Sequence, residues 1–368
     1  MNACVGTQDG SLPRVVVVGG GTGSHTILTG LKRQAVDLTA IVAMTDRGGS
    51  SGRLRDEFGH LPPGDVRQCM VALMPEEHSS LLLRQLFSYR FAQGEGLDGH
   101  SFGNLFITAL TEITGGIDRA IQEAGRILGI KGRVIPVTLT KADLCARLVD
   151  GTVLKGEDKL DVREEKTEVP IDYVYTDPRA YVSTEAARAI EEADVVILGP
   201  GDLYTSVIAN LVVEGVPEAF RRSAAKTIFV CNLATKRGES DGFRASDFVR
   251  TIAQYLTPGA LDIVLLNSSP VPENLRLRYE SEGSRLVETD LERCRALVPE
   301  VVARPVASVG TLLRHHPDRL ADAIMEIIRS SAGTTERDSL PTRVESLPYR
   351  PPGRPTVAGW PTPHQASR

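Results

Sequence analysis

Five short stretches hold residues suited to gripping a phosphorylated ligand. GGGTGS at 19–24 places Gly20, Gly21, Thr22 and Gly23 directly after the apolar run RVVVV. Glycines at such a junction let the backbone turn tightly and approach a phosphate. A helix that follows offers free N–H groups and a partial positive charge. TDRGGSSGRLRDEFGHLPPGDVRQ at 45–68 adds the carboxylates of Asp46 and Asp65, donors and hydroxyls at Gly48, Gly49, Ser50 and Ser51, and guanidinium groups at Arg47, Arg53, Arg55 and Arg67. Arginine suits bidentate contact with phosphate; the two aspartates could hold a divalent ion or accept from sugar hydroxyls. DGHSFGN at 98–104 opens a helix, with Ser101 or Asp98 as its cap and with His100 and Asn104 able to face a ligand. GPGDLYTSV at 199–207 sets Gly199 and Gly201 before the hydroxyls of Tyr204, Thr205 and Ser206, and NLATKRGESDGF at 232–243 carries Asn232 and Thr235.

Several chemistries are disfavoured. A P-loop needs GxxxxGK[ST], and neither Lys-Ser nor Lys-Thr follows these glycines. The dinucleotide fingerprint GxGxxG is half met, with Ser24 at its third glycine position, while Asp46 falls where a ribose-binding acid is expected. There is no HExxH, no GxSxG and no His/Cys cluster with metal spacing, so nothing names a nucleophile. Cys231, at a strand end with no base beside it in sequence, reads as core. Any chemistry would be phosphoryl or nucleotidyl transfer by positioning and electrostatics.

The elements that must position these residues are legible in part. RVVVV (14–18), TAIVAMT (39–45), RVIPVTL (133–139), DVVIL (194–198), TIFVC (227–231) and LDIVLLN (261–267) are apolar, β-branched runs suited to strands buried on both faces. Helical patterns lie between them: 24–33, within 65–92 and 101–129, TEAARAIEEA (184–193), most of 203–223, ASDFVRTIAQYL capped by Ser246 or Asp247, and 316–329. CARLVDGTVLKGE (145–157) predicts a hairpin turning at Asp150-Gly151; the charge-rich 156–170 reads as exposed. The fold class expected is α/β, Rossmann-like, a mostly parallel sheet flanked by helices with an inserted β-hairpin. Open sheets of this kind bind at the carboxyl edge, and the glycine and polar loops all leave strands there. The arginine-bearing stretch 45–68 reads as one long edge loop.

The 368 residues carry 42 basic and 47 acidic side chains, a net charge of −5. That balance argues against bulk-charge binding of nucleic acid. Five scattered Cys with no CxxC fit a reducing cytoplasm, and no apolar run is long enough for a membrane span. Residues 1–13 read as a disordered arm, 14–330 as one α/β domain and 331–368 as a Pro-rich disordered tail that includes Trp360, the single Trp. Self-association into a homo-oligomer is left open.

In this order, GGGTG, GGSSGRLR, PPGDVR, GHSFGN, GPGDLYTSV, NLATKRGESDG and LRHH resemble the YvcK/CofD-like family, in its YvcK branch of gluconeogenesis factors. The resemblance runs from about Arg14 to Arg329. It implies a cytoplasmic protein that binds UDP-sugars, notably UDP-N-acetylglucosamine, and regulates carbon flow into cell-wall precursors and cell shape, with glucosamine-6-phosphate synthase as partner. It attaches nucleotide-sugar binding to Tyr279 and Arg314, which spacing leaves unremarked. The related CofD branch implies an alternative, a 2-phospho-L-lactate-type transferase using a guanosine diphosphate-linked donor, a deazaflavin acceptor and Mg²⁺; only that reading calls for the metal. In it the acids before GGSSG and the aspartate matching Asp65 hold the metal. Here the first pair reads Asp46-Arg47, and an Arg in place of an acid should weaken a cation site or meet a phosphate directly. A third reading, an NAD-binding protein, rests on GGGTG and Asp46.

Overall fold

The computed structural model describes residues 11–163 and 168–332. Most of the expected arm, the tail from Gly333 and Trp360 lie outside the described residues. Chain order gives β1 (Arg14–Gly19), β2 (Asp37–Val42), β3 (Arg133–Pro136), β4 (Asp143–Leu148), β5 (Val153–Lys155), β6 (Ile171–Asp177), β7 (Val195–Leu198), β8 (Lys226–Val230), β9 (Ile263–Asn267), β10 (Glu300–Arg304), β11 (Ala307–Val309) and β12 (Leu313–His315). Seven of them form one parallel sheet in the order β10-β9-β8-β7-β1-β2-β3.

The run of valines in β1 shows why. Val15 and Val17 pack into the core on one face of the sheet, Val16 and Val18 into the core on the other. Period-2 alternation with both faces covered demands apolar residues at every position. The first face is covered by α1 (Gly21–Leu31), α3 (Gly64–Leu73), α6 (Ile117–Leu128) and the helix Pro317–Ala332. The second is covered by the helices Thr184–Glu191 and Ala245–Tyr255, the π-helical turn Leu203–Ile208, and an antiparallel sheet in the order β5-β4-β6. From β1 the chain builds outward through β2 to β3, then returns to β7 on the other side and builds outward to β10. The order therefore reverses between β1 and β7, and ligands of open α/β sheets bind in the crevice at such a switch point.

Several expectations are corrected. The stretch 45–68 is not one loop: α2 (Gly49–Phe58) and α3 occupy most of it. β2 ends at Val42 and α1 starts at Gly21 rather than Ser24. The segment 65–92 breaks at Pro75 into α3 and α4 (His78–Ser88), and 101–129 breaks at Gly115-Gly116 into α5 (Phe102–Thr114) and α6. The hairpin at 145–157 forms but acquires β6 as a third strand. The expected caps Ser101 and Ser246 do not cap: the Ser101 hydroxyl is buried without a partner, and Ser246 bonds Asp290 while Asp247 accepts the Arg244 N–H. The charge-rich 156–170 is not uniformly exposed. It includes the short helix α7 (Glu157–Asp161), with Leu160 and Arg163 buried.

Candidate functional site

A cleft of about 350 Å³ opens at the switch point. Gly20, Gly21, Thr22 and Gly23 contribute from the end of β1 and the start of α1; Gly201, Asp202, Thr205 and Ser206 contribute from the segment after β7. The two loops touch closely. A Cβ at Gly23 would lie 1.9 Å from the Pro200 carbonyl oxygen, so only glycine lets α1 meet the third loop here. Asn232 at the end of β8 fixes that loop by donating from Nδ2 to the Gly201 carbonyl at 2.7 Å.

The remaining lining is acidic: Asp46, Asp65 and Glu157, with Gln68. Asp65 accepts the Gly21 N–H, so a carboxylate already sits at the α1 N-terminus. A Cβ at Gly20 would come 2.3 Å from Asp65 Oδ2. Burial, and then the nearby Asp46 charge, push Asp65 up to about 7. Burial likewise raises Asp46, against bonds from Ser51 and from the Gly48 N–H (2.7 Å). Glu157 rises to about 8 by burial and the charges of Asp46 and Asp161. The motifs ahead of the cleft are bracing rather than lining. Asn104 Nδ2 donates to Ser50 Oγ (3.2 Å) and Ser51 Oγ (3.3 Å), and its Oδ1 accepts from Arg67 Nε (2.9 Å). His100 Nδ1 lies 3.2 Å from Ser50 Oγ; burial and the Arg53 charge lower its pKa. This network holds Ser51 against Asp46.

The four arginines do not converge on the cleft. Arg47 and the fully buried Arg55 both pair with Asp143 at the start of β4, at 2.8 and 2.5 Å. Arg53 is exposed and donates to the Asp98 carbonyl, and Arg67 is engaged by Asn104. Arg47 is therefore engaged by Asp143 and does not line the cleft. Its backbone N–H instead donates to Glu157 at 3.4 Å, and Glu157 brings another carboxylate toward Asp46. Sequence reasoning missed Glu157 because the run around it is so charged; the one available signal was Gly156, which turns the chain from β5 into α7.

Other expected residues are placed elsewhere. Gly48 and Gly49 are exposed at the head of α2 and do not line the cleft, and Gly199 is buried behind Gly201. Tyr204 is packed in the core, its phenol pushed up by burial, and so offers no hydroxyl to the cleft. Thr235 turns to Arg285, accepting its N–H at 2.9 Å. Ser101 is buried behind Ser50. Cys231 is buried, and burial pushes its thiol well up. Tyr279 and Arg314 do not line the cleft either. Tyr279 Oη accepts from the Leu313 N–H (3.1 Å) and packs on a small cluster of Leu275, Ala307 and Leu313 that Leu233 joins. The hairpin β11–β12 thus flanks the 232–235 segment, which in turn holds the third loop. Arg314 projects from β12, exposed and without an ion pair to any described residue.

The CofD resemblance implies a divalent cation, and the donor set fits one. Asp46 and Asp65 are hard oxygen donors whose ionised forms are held in an unfavourable setting, and Mg²⁺ is commonly bound by one or two carboxylates plus phosphate oxygens. When bound, such an ion would neutralise the acids and polarise a phosphate. These carboxylates, braced through Ser51 and Gly21, would hold it.

Glycine loops at a switch point, an acid pair lining the same cleft and a seven-stranded parallel sheet define a Rossmann-like protein with a built ligand cleft. The chain belongs to the CofD family: residues 15–307 match the family described as 2-phospho-L-lactate transferase CofD. Its relatives carry the name gluconeogenesis factor. The Gluconeogenesis factor of Halalkalibacterium halodurans is 40% identical over 314 residues, covering 85% of this chain and 95% of that one. The Gluconeogenesis factor of Bacillus subtilis is 36% identical over 322 residues, covering 87% and 99%. A crystal structure of a UPF0052 family protein from Bacillus halodurans superposes with a TM-score of 0.81 at 38% identity, over 86% of this chain and 99% of that one. Among the described residues no helix is long and apolar enough to cross a membrane.

Proposed function

We propose that this protein binds a UDP-sugar, UDP-N-acetylglucosamine, in the switch-point cleft and uses occupancy to regulate carbon flow into cell-wall precursors and cell shape. The observation that carries this reading is the meeting of two strand-end loops, 20–23 and 201–206, whose glycines and hydroxyls face one cleft. Such loops suit a diphosphate. The acids of the cleft repel a bare diphosphate, so a divalent ion, which Asp46 and Asp65 would hold, would neutralise them and make room for the phosphates. Tyr279 and Arg314, beside the 232–235 segment, take the nucleoside end. Glucosamine-6-phosphate synthase, in the cytoplasm, is the proposed partner. Calorimetry with UDP-N-acetylglucosamine, with and without Mg²⁺, tests the reading. Binding that strengthens with Mg²⁺ supports it. A folded protein that shows no heat at millimolar ligand would overturn it.

The acid pair favours a second reading, a CofD-type transferase, because Asp65 sits at the α1 N-terminus facing the phosphate-ready loops. Incubation with a guanosine diphosphate-linked donor, a deazaflavin and Mg²⁺ decides it: product by mass supports transfer, and none under any divalent metal rejects it.

A further inference from the structure

We propose that Lys236 is a tethered cation and a positioning residue: its ammonium fills a cage of three carboxylates from separate segments and so fixes the spacing of the two cleft walls. Nζ lies 2.7 Å from Asp202 Oδ2 and 3.0 Å from Glu239 Oε1, and also bonds Asp161. The cage oxygens of Asp161, Asp202 and Glu239 all lie within 4.8 Å of one another, the spacing of a divalent-ion site. Three carboxylates at that range repel one another unless a cation stands among them, and this chain supplies the cation from the Lys236 side chain.

Each leg reaches a different part of the cleft. Asp202 lines it directly. Glu239, fully buried, accepts the Tyr204 N–H at 3.3 Å and the Thr205 hydroxyl at 3.4 Å, and so orients the turn that carries Thr205 and Ser206. Asp161 lies at the end of α7, and Glu157, which lines the opposite wall, lies at its start, four residues earlier on the same face. One ammonium therefore ties the inserted antiparallel unit to the segment after β7. The inference goes beyond the proposed ligand, since it holds whatever the cleft binds.

Hydrogen exchange on the full chain tests it. In Lys236→Met, amides of 157–161 and 202–206 should exchange roughly tenfold faster than in the wild type, because both segments lose their common anchor. The emptied cage then has the spacing for a free ion. Ca²⁺ alone should slow exchange at 202–206 more in Lys236→Met than in the wild type, and adding Asp161→Asn should abolish that difference. A lysine that merely filled space would give no ion-dependent recovery. Unchanged exchange in Lys236→Met, or equal Ca²⁺ protection in both proteins, would overturn the proposal. If Lys236→Met does not fold, Asp161→Asn alone should loosen 157–161 and spare 202–206, and unchanged exchange at 157–161 would overturn it equally.

Discussion

Asp65 is the residue through which the cleft should announce itself in solution. Its carboxyl is raised from 3.8 to about 7 by burial and by Asp46. A raised acid holds its proton more tightly when folded than when unfolded. Its contribution to stability is therefore complete below 3.8 and is lost as pH climbs through about 7. The metal-free protein should thus melt at a lower temperature at pH 8 than at pH 5, and Asp65→Asn, which keeps an acceptor for the Gly21 N–H, should flatten the decline. Scanning calorimetry across that range checks this; equal slopes in the two proteins would contradict it. Arg314 is the opposite kind of residue. It is exposed and has no ion pair with a described residue, so Arg314→Ala should leave the unfolding free energy within about 0.5 kcal/mol of wild type while removing UDP-sugar binding. Wild-type affinity in that variant would show that the placement of nucleotide-sugar binding on Arg314 is wrong.

At the scale of elements, the two glycines at the head of α1 separate stability from binding. Gly23→Ala would drive a Cβ to 1.9 Å from a backbone oxygen, and neither backbone can yield cheaply. It should cost about 3 kcal/mol, in the upper range for overpacking, seen as a lower denaturant midpoint. Gly20→Ala meets the Asp65 carboxylate, a side chain that can swing aside. Its loss of stability should be smaller than that of Gly23→Ala, with weaker Mg²⁺-dependent binding as the main effect. Equal destabilisation by both would refute the distinction. These loops were legible in sequence because strand, glycine and helix follow one another within a few residues. β1, the glycine run and the third loop needed no long-range knowledge. The helix α2 was not legible, since GGSSG reads as turn chemistry until Asn104 and His100, about 50 residues on, bond Ser50 and Ser51. For the same reason the arginines were misread. Local spacing shows four cations close together, but only the fold shows Asp143 already holding two of them.

Asp143 also sets how the whole molecule is joined. The inserted sheet β5-β4-β6 shares the second-face core with the main sheet, yet its first strand is fastened by an ion pair. Arg55 is 2% exposed, donates to the Ala142 carbonyl and Asp143, and leaves Nε and Nη1 without a partner. Desolvating that guanidinium is costly, and the Asp143 carboxylate offsets the cost only while both groups remain. Asp143→Ala strands a buried cation and should lose about 3–5 kcal/mol. Replacing the pair together, Arg55→Met with Asp143→Leu, removes both charges and should recover most of that loss, whereas Arg47, one-third exposed at its side chain, can turn to solvent. Urea unfolding of the wild type, Asp143→Ala and the double variant measures the loss and the recovery. A double variant no more stable than Asp143→Ala would mean that the ion pair itself holds the insertion in place. A recovered double variant would mean that apolar packing holds it and the pair serves to aim Glu157 and Asp161. Hydrogen exchange over α7 in the recovered variant then reports whether that aim survives.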